Sequence, residues 1–358
     1  MPYAIVFSSL LLISQILKKR NELASDYHVV YYLVVIVILC LFNSLRGIGV
    51  GADTAVYKYH FETICSFNFV QVFERYRLDS GFYFFTWLLS KYIGDFQFYL
   101  FVIALLYIIP VIQLIRMRSK YPILSIFLFF CFGLYTFSFS TIRQTIAISF
   151  CVIAYIALDK SRLKSIIIFA IGVAFHYSAI IFLPYFIIHR LPFKRSVIGI
   201  LITGVAVSFF LSDGLIPYFT QVVDFSGSNK TYLVVSTGGI GMILFLFFVF
   251  IVGATTVITQ DQIEELSELK RNVLYIYSAL VVFIVSRYNL AVMRLYYYYF
   301  IFIIIAIPNI LSNTKNPDVR HLLKILFILV ALYFLFFQVF ADPYAESRRL
   351  LPYYFFWQ

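Results

Sequence analysis

Charged residues are scarce in this chain. They make up 13% of its 358 residues, against about 25% in soluble globular domains, which excludes an ordinary soluble protein. Hydrophobic residues reach 62%, and several apolar runs have the length of roughly 20 residues that crosses the hydrocarbon layer of a membrane. Runs of this length favour helices over the shorter strands of a membrane barrel. The composition therefore predicts an all-α polytopic integral membrane protein.

Cysteines are few, and linkers and repeats are absent. Cys40, Cys131 and Cys151 lie within apolar runs and Cys65 lies in a loop, so neither a disulfide framework nor a metal-binding spacing is visible. No linker, low-complexity segment or internal repeat divides the sequence. We therefore expect residues 1–358 to form a single transmembrane domain.

The basic residues are unevenly placed. A net charge of +11 could indicate nucleic-acid binding, but most lysines and arginines fall in short clusters between apolar runs, which is typical of a topology signal. We therefore expect no nucleic-acid partner. The clusters predicted to face the cytoplasm are 18–20, 116–120, 159–164, 189–195, 269–271 and 313–324. The first cluster follows the first apolar run instead of preceding it, which favours a transmembrane helix over a cleaved signal peptide.

The candidate membrane spans follow from the apolar runs. They lie near 3–17, 29–45, 96–115, 122–139, 144–158, 196–212, 238–259, 273–286, 295–311 and 322–341. An even number of crossings must separate two cytoplasmic clusters, so 165–188 is predicted to be a hairpin of two short helices that turns near His176. By the same argument 81–94 is re-entrant or interfacial, or pairs with another short crossing. The total is then about ten to twelve helices.

Several arginines fall on the predicted outer side, against the usual trend. They are Arg46, Arg75, Arg77, Arg143, Arg287, Arg294, Arg348 and Arg349. A guanidinium holds phosphate oxygens with two parallel hydrogen bonds and stays charged when partly buried. An outer pocket with Arg143, Arg287 and Arg294 would suit a pyrophosphate, whereas interfacial snorkelling is the simpler explanation.

Two acid–base candidates also lie on the predicted outer side. His176, at the predicted hairpin turn, could act as a base or donate to a phosphate or sugar hydroxyl, or could simply bond to a neighbouring carbonyl. Asp53 and Thr54 follow three glycines in "RGIGVGADTAVYKYH" (46–60), where backbone amides could approach an anion or where the glycines could only shape a loop. No pair of acids in the outer segments has DxD spacing, so neither a catalytic metal nor a cofactor is indicated.

Five segments carry a family pattern. They are RGIGVGADTAVY (46–57), DSGFY (79–83), STIRQTIAISF (140–150), AFHYSAIIFLP (174–184) and RLYYYYFIFIIIAIP (294–308). Together they resemble the EpsG family of Wzy-type O-antigen or exopolysaccharide polymerases, and the likeness covers roughly residues 40–310. Asp79 stands where the family commonly has a glutamate.

The resemblance implies a metal-independent glycosyltransferase of the bacterial inner membrane. Such a polymerase transfers a growing glycan from undecaprenyl diphosphate onto the non-reducing end of a lipid-linked repeat unit, at the outer, periplasmic face. The implied partners are undecaprenyl-diphosphate-linked oligosaccharide and polymer, membrane lipid and a chain-length regulator. Every matched motif falls on the side that the basic clusters predict to be outer.

Roles for single residues combine both lines of reasoning. Arg143 and Arg294, with Arg46 and Arg287, are predicted to bind the diphosphate and stabilise its developing charge. The acceptor hydroxyl would be oriented or deprotonated by His176 or Asp53, and the sequence does not choose between them. The predicted substrate-binding residues are Thr54, Tyr57, Gln144, Ser178 and Tyr298.

Two other functions fit a basic outer cavity and a lipid-linked substrate. A flippase or transporter of lipid-linked oligosaccharide should contain internal repeats, and none is found. An O-antigen ligase uses the same donor but often carries a large outer loop between late helices, whereas the loop at 213–237 is short. A membrane-bound acyltransferase is the weakest alternative, because its early arginine and histidine would lie at the cytoplasmic end.

Overall fold

The protein is a helical bundle. The computed structural model describes residues 2–3, 5–10, 12, 26–188, 190–191, 195–224, 239–259, 267–287, 290–341 and 349–358. It is 81% helical, and no β-strand occurs among these residues, so the all-α prediction is confirmed. The predicted basic cluster 18–20, nearly half of the first apolar run (residues 4, 11 and 13–17) and Arg348 lie outside the described residues.

The helices in chain order are α1 (Asp26–Ser44), α2 (Thr54–Ile64), α3 (Phe69–Arg75), α4 (Ser80–Tyr92), α5 (Phe96–Arg118), α6 (Pro122–Cys131), α7 (Leu134–Phe137), α8 (Ile142–Leu158), α9 (Arg162–Phe175), α10 (Tyr185–Ile188), α11 (Arg195–Asp224), α12 (Ile240–Ile258), α13 (Ser267–Ser286), α14 (Leu290–Met293), α15 (Tyr297–Phe300), α16 (Ile303–Asn313) and α17 (Pro317–Phe336). Short 3₁₀ helices occupy Tyr177–Phe182 and Arg294–Tyr296, and a π-helical turn occupies Phe337–Ala341.

Five stretches of continuous helix are long and apolar enough to cross a membrane: Phe96–Arg118, Ile240–Ile258, Ser267–Ser286, Arg294–Asn313 and Pro317–Val339. Shorter apolar helices cover Val29–Ser44, Pro122–Cys131, Ile142–Leu158, Tyr177–Ile188 and Val197–Ser212. These segments fall on the predicted spans within the described part of the chain. They make this a multi-pass membrane protein.

The stretches 81–94 and 165–188 both contain short helices. Helix α4 has 13 residues and is therefore about 20 Å long, less than the roughly 30 Å of a hydrocarbon core. Helix α9 ends at Phe175, and His176 is extended (φ −154°) before the 3₁₀ helix begins at Tyr177. The helix break thus lies at the residue where the sequence predicted the turn.

The described residues group into two compact units. The first comprises those within Met1–Met117, Pro122–Ala179 and Ile328–Gln358, and the second those within Arg118–Tyr121 and Ile180–Phe327. The prediction of a single domain stays a prediction, and each unit is described by itself.

In the first unit, an aromatic core joins α2, α3, α4, α5 and α8. Its buried members are Tyr57, Phe61, Ile64, Val72, Phe82, Tyr83, Trp87, Tyr99, Leu100, Ile103, Ile142 and Ile146. Aromatic side chains bury large areas and pack in preferred edge or offset geometries. This core therefore holds α2, α3, α4, α5 and α8 in place relative to one another.

In the second unit, rings stack between separate helical segments. Phe182 packs against Tyr185, Tyr299 and Phe302, with ring centroids 4.7, 5.2 and 5.8 Å away. At another place, Glu268 accepts a hydrogen bond from Arg271 at 2.7 Å and lies 3.4 Å from a nitrogen of Arg118. This charge cluster joins Arg118 to the start of α13 within the second unit.

Candidate active site

A buried carboxylate joins three segments of the first unit. Asp79 Oδ2 accepts hydrogen bonds from Arg143 Nη1 and from His176 Nδ1, both at 2.9 Å. Asp79 Oδ1 accepts from the backbone N–H of Tyr177, also at 2.9 Å. The Asp79 side chain is only 2% exposed, whereas that of His176 is 18% and that of Arg143 is 37% exposed. The carboxylate is therefore internal, while its two cationic or ionisable partners reach the surface.

The backbone turns the Asp79 side chain away from its own helix. Asp79 precedes α4 in the left-handed region (φ 57°) and makes no side-chain cap. Aspartate tolerates this conformation better than most residues. Its carbonyl instead accepts from the N–H groups of Phe82 and Tyr83. The carboxylate is left to bind residues from α8 and the end of α9.

Two glycines let the helices approach closely enough for these bonds. A Cβ on Gly81 would lie 3.0 Å from the carbonyl oxygen of Ala174, near the end of α9. A Cβ on Gly172 would lie 3.0 Å from Cβ of Phe150 in α8. Both distances are below ordinary carbon contact distances. The small residues therefore set the separations of α4, α9 and α8, and with them the meeting of Asp79, Arg143 and His176.

Arg143 is held on more than one side. Besides its ion pair with Asp79, its side chain lies close enough to the buried Tyr57 phenol to interact with it electrostatically. The guanidinium carbon lies 5.9 Å from the ring centroid of Tyr83, within cation–π range. The head group is thus preorganised while part of the side chain remains accessible.

Aromatic rings continue from Tyr83 into the loop before α4. Tyr76 stacks on Tyr83 with centroids 3.7 Å apart and planes 10° apart. The Tyr76 hydroxyl lies 3.4 Å from Nδ1 of His60. Burial lowers the pKa of His60, and the positive charges of Arg143 and Arg75 lower it further. His60 therefore contacts the stacked Tyr76 and Tyr83 rings beside the candidate site. The sequence did not indicate this contact.

The charge state of Asp79 follows from its partners. Burial alone would raise its pKa, but the hydrogen bond and charge of His176, the charge of Arg143 and the N–H of Tyr177 together hold the pKa below its usual value. Because an ionised carboxylate only accepts hydrogen bonds, Nδ1 of His176 carries a proton in this arrangement. In the neutral imidazole, Nε2 then carries the lone pair that can accept a proton.

Arg46 lies in a separate, buried part of the first unit. It is 1% exposed, and its guanidinium donates to the carbonyl and side-chain oxygens of Asn43 and approaches the carbonyl of Phe139 at 3.4 Å. It also lies over the Phe139 ring at 5.0 Å. These contacts favour a structural role, and diphosphate binding by Arg46 stays a prediction.

The glycine-rich stretch pairs with the segment 349–358. The N–H groups of Gly47, Gly49 and Gly51 donate to the Tyr354 carbonyl at 2.8 Å, the Tyr354 hydroxyl at 2.7 Å and the Arg349 carbonyl at 2.9 Å. Protein acceptors therefore already occupy the amides that could have cradled an anion. Of the two explanations of the glycines, loop shaping is the one these contacts favour.

The other predicted residues of the first unit are placed as follows. Asp53 precedes α2 and makes no side-chain cap. Thr54 is fully buried and donates to the Val50 carbonyl at 2.7 Å. Gln144 is buried, and Ser178 is partly buried two residues after His176. Of the predicted set, the structure brings Tyr57, Arg143 and His176 together.

The remaining three predicted residues belong to the second unit. The Arg287 guanidinium lies 4.1 Å from the centroid of the Phe209 ring. Arg294 begins a 3₁₀ helix and is partly buried, and Tyr298 in α15 is fully buried. Their predicted roles stay predictions.

Asp79 is the residue that the sequence analysis missed as a site residue. Its DSGFY segment was recognised only as part of the family pattern, because a carboxylate that caps α4 and one that reaches α8 and α9 look alike in the sequence. The one local hint was Gly81, since a glycine at a helix start can mark a close approach to another backbone. Within the described residues, no three His, Cys, Asp or Glu side chains are grouped as metal ligands.

A model of the EpsG family matches residues 29–355, nearly the whole chain. This chain belongs to the EpsG family. Members of the EpsG family are Wzy-type polymerases, and membership supports a polysaccharide polymerase-type function in general. No curated protein and no solved structure matches the chain.

Proposed function

We propose that this EpsG-family protein transfers a growing glycan from undecaprenyl diphosphate onto the non-reducing end of a lipid-linked repeat unit. The reaction would take place at the outer face of a bacterial inner membrane, without a metal ion or other cofactor. Family membership and the multi-pass helical fold support a membrane-bound polymerase that uses lipid-linked saccharides. A chain-length regulator would be a further partner.

One observation carries the assignment of the chemistry. Arg143 and His176 are separated by about thirty residues in the sequence. The sequence predicts diphosphate binding for Arg143 and action on the acceptor hydroxyl for His176. Both bond to the same oxygen of Asp79. A cation suited to a leaving phosphate thus lies beside a base suited to a hydroxyl, which are the two groups that glycosyl transfer from a lipid diphosphate needs.

The proposed step is a displacement at the anomeric carbon of the donor. His176 Nε2 accepts the proton of the acceptor hydroxyl as its oxygen forms the new bond to that carbon. The bond from the anomeric carbon to the diphosphate oxygen breaks, and its electron pair leaves with the diphosphate. Arg143 stabilises the negative charge that develops there, a contribution of about 2–4 kcal/mol for one well-placed donor. Participation of Asp53, Arg46, Arg287 and Arg294 is a further expectation from the sequence.

The lipid-linked glycans that accumulate in a deletion strain test this function. We expect single repeat units on lipid, and complementation by the wild-type gene should restore long chains. Long chains that stay on the lipid would instead indicate a ligase, and lipid-linked units trapped at the inner face would indicate a flippase. Either of those results would overturn the proposal.

Complementation with variants tests the two residues. His176→Ala and Arg143→Ala should leave single repeats at normal protein level. His321→Ala and Arg116→Ala are matched controls, because both residues are exposed and lie in clusters predicted to face the cytoplasm. They should restore long chains. Wild-type chain lengths in the His176 and Arg143 variants would remove these residues from the proposed chemistry.

A further inference from the structure

We infer that Asp79 is a positioning residue that fixes the tautomer of His176, so that Nε2 is the nitrogen facing the acceptor hydroxyl. The inference rests on the proposed function. Asp79 itself is 2% exposed, and its two oxygens already accept three hydrogen bonds. It is therefore badly placed to meet substrate and well placed to orient the groups that do.

The three donors leave little choice of side chain at this position. Arg143 and the N–H of Tyr177 can only donate, so both oxygens of residue 79 must be acceptors. His176 Nδ1 shares an oxygen with Arg143, so it must donate as well. Only an ionised carboxylate satisfies all three bonds at once, and in doing so it places the imidazole proton on Nδ1.

An asparagine at position 79 would replace one of the two acceptor oxygens by an NH₂ donor, in one of two orientations. If its amide NH₂ group faced Arg143 and His176, it would meet a donor on Arg143, and Nδ1 of His176 would have to become an acceptor. The proton would then move to Nε2, which could no longer accept one from a hydroxyl. If the NH₂ group faced the other way, it would oppose the N–H of Tyr177. Each orientation loses at least one of the three bonds.

The charged and titratable groups around the pair come from several elements. Arg143 contributes positive charge from α8, Tyr57 and Tyr83 contribute phenols from α2 and α4, and Tyr177 adjoins His176. Asp79 is the acidic group that bonds directly to His176.

Nitrogen NMR of ¹⁵N-histidine-labelled protein tests the tautomer without any substrate. The chain has 5 histidines, and a spectrum of His176→Ala identifies the signals of His176. We expect the Nδ1–H form in the wild type and the Nε2–H form in Asp79→Ala, because alanine offers Nδ1 no acceptor and the imidazole returns to the tautomer that it prefers when free. An Nε2–H form in the wild type, or an unchanged tautomer in Asp79→Ala, would overturn the inference.

Turnover of lipid-linked repeat units extracted from the deletion strain is the second readout. Asp79→Asn should lower kcat by about 10²–10⁴-fold, the usual contribution of a general base, with a smaller change in KM. Asp95→Asn is the matched control, since Asp95 is exposed and only caps α5, a task asparagine performs equally well. A kcat in Asp79→Asn equal to that of Asp95→Asn would contradict the positioning role.

Asp79→Glu covers the case in which Asp79→Asn does not fold. It keeps the carboxylate, so we expect the Nδ1–H form and turnover within about tenfold of wild type. An Nε2–H form in Asp79→Glu would overturn the inference. A wild-type protein that shows the Nδ1–H form yet extends no lipid-linked repeat would sink the proposed function and leave the geometry of Asp79 and His176 standing.

Discussion

Gly81→Ala offers a sharp test, because it perturbs the site without touching a reacting group. The added methyl carbon would lie 3.0 Å from the Ala174 carbonyl oxygen and 3.1 Å from its carbonyl carbon. Ordinary carbon contacts begin about 0.4 Å farther out, so α4 and the end of α9 must separate by roughly that amount. The neighbour is helix backbone, which cannot rotate aside as a side chain could.

That separation falls directly on the bonds of Asp79. The His176 and Tyr177 bonds to its carboxylate would lengthen from 2.9 Å to about 3.3 Å, beyond the usual range for such bonds. Overpacking of this kind costs about 1–3 kcal/mol, and the higher helix propensity of alanine returns up to about 1 kcal/mol. We therefore expect a net loss of stability of about 1–2 kcal/mol. Turnover should fall by at least about tenfold, because catalytic groups tolerate misplacement of only about 0.5 Å.

Thermal unfolding in detergent and turnover of lipid-linked repeats measure the two effects. Gly241→Ala is the matched control, since a Cβ at that helical position meets nothing within 4 Å, and it should be neutral or slightly stabilising. Gly81→Ala with wild-type stability and turnover would refute the close-approach argument. A loss of stability without loss of turnover would refute the link from Gly81 to Asp79.

Three further outcomes are expected. Arg143→Lys should lower turnover by about 10–100-fold, because one ammonium cannot replace the planar fork of a guanidinium, whereas Arg116→Lys should match wild type. Equal chain lengths in the two variants would contradict the proposed contact between Arg143 and the diphosphate. Gly51→Ala should lower the unfolding free energy by at least about 2 kcal/mol, because φ at Gly51 is +88° and a Cβ there would strike the Phe139 carbonyl. An unchanged melting temperature would contradict the predicted loss of stability. The lowered pKa of Asp79 predicts stabilisation that is fully present above the unfolded pKa of about 4 and is lost as pH falls through the folded value. The gap between the melting temperatures of wild type and Asp79→Asn should therefore narrow only in acid, and a gap that closes near pH 6 would contradict the ion pair.

The helices themselves were predictable, because long apolar runs allow few other structures in a membrane. Helices α5, α12 and α13 fall where the apolar runs placed them, and α9 ends at the residue where charge parity predicted a turn. The grouping into two compact units could not be predicted, since apolar residues cover nearly every helix surface. Composition alone does not say which apolar face meets protein and which meets lipid.

The sequence singled out the two partly exposed members of the candidate site, Arg143 and His176, but not the buried Asp79. Arg143 was selected because a guanidinium on the predicted outer side of a membrane needs a reason, and His176 because it lies at the predicted hairpin turn. Arg46 had the same signal, yet it bonds to Asn43 and packs over Phe139. Sequence separates these cases poorly, since burial depends on which chain segment covers the arginine.

The contrast between Arg46 and Arg143 lies in their partners. Arg46 is surrounded by neutral oxygens and a ring, so its charge is shared among protein groups and none of it faces outward. Arg143 is paired with one carboxylate but remains 37% exposed, so it retains surface through which an anion can bind. The Asp79 carboxylate could neutralise Arg143 and weaken such binding, but it also bonds to His176 through the same oxygen. Its negative charge is thus divided between two cation-forming partners. In the proposed reaction, one buried acid can therefore orient the base and still leave Arg143 able to stabilise the departing diphosphate.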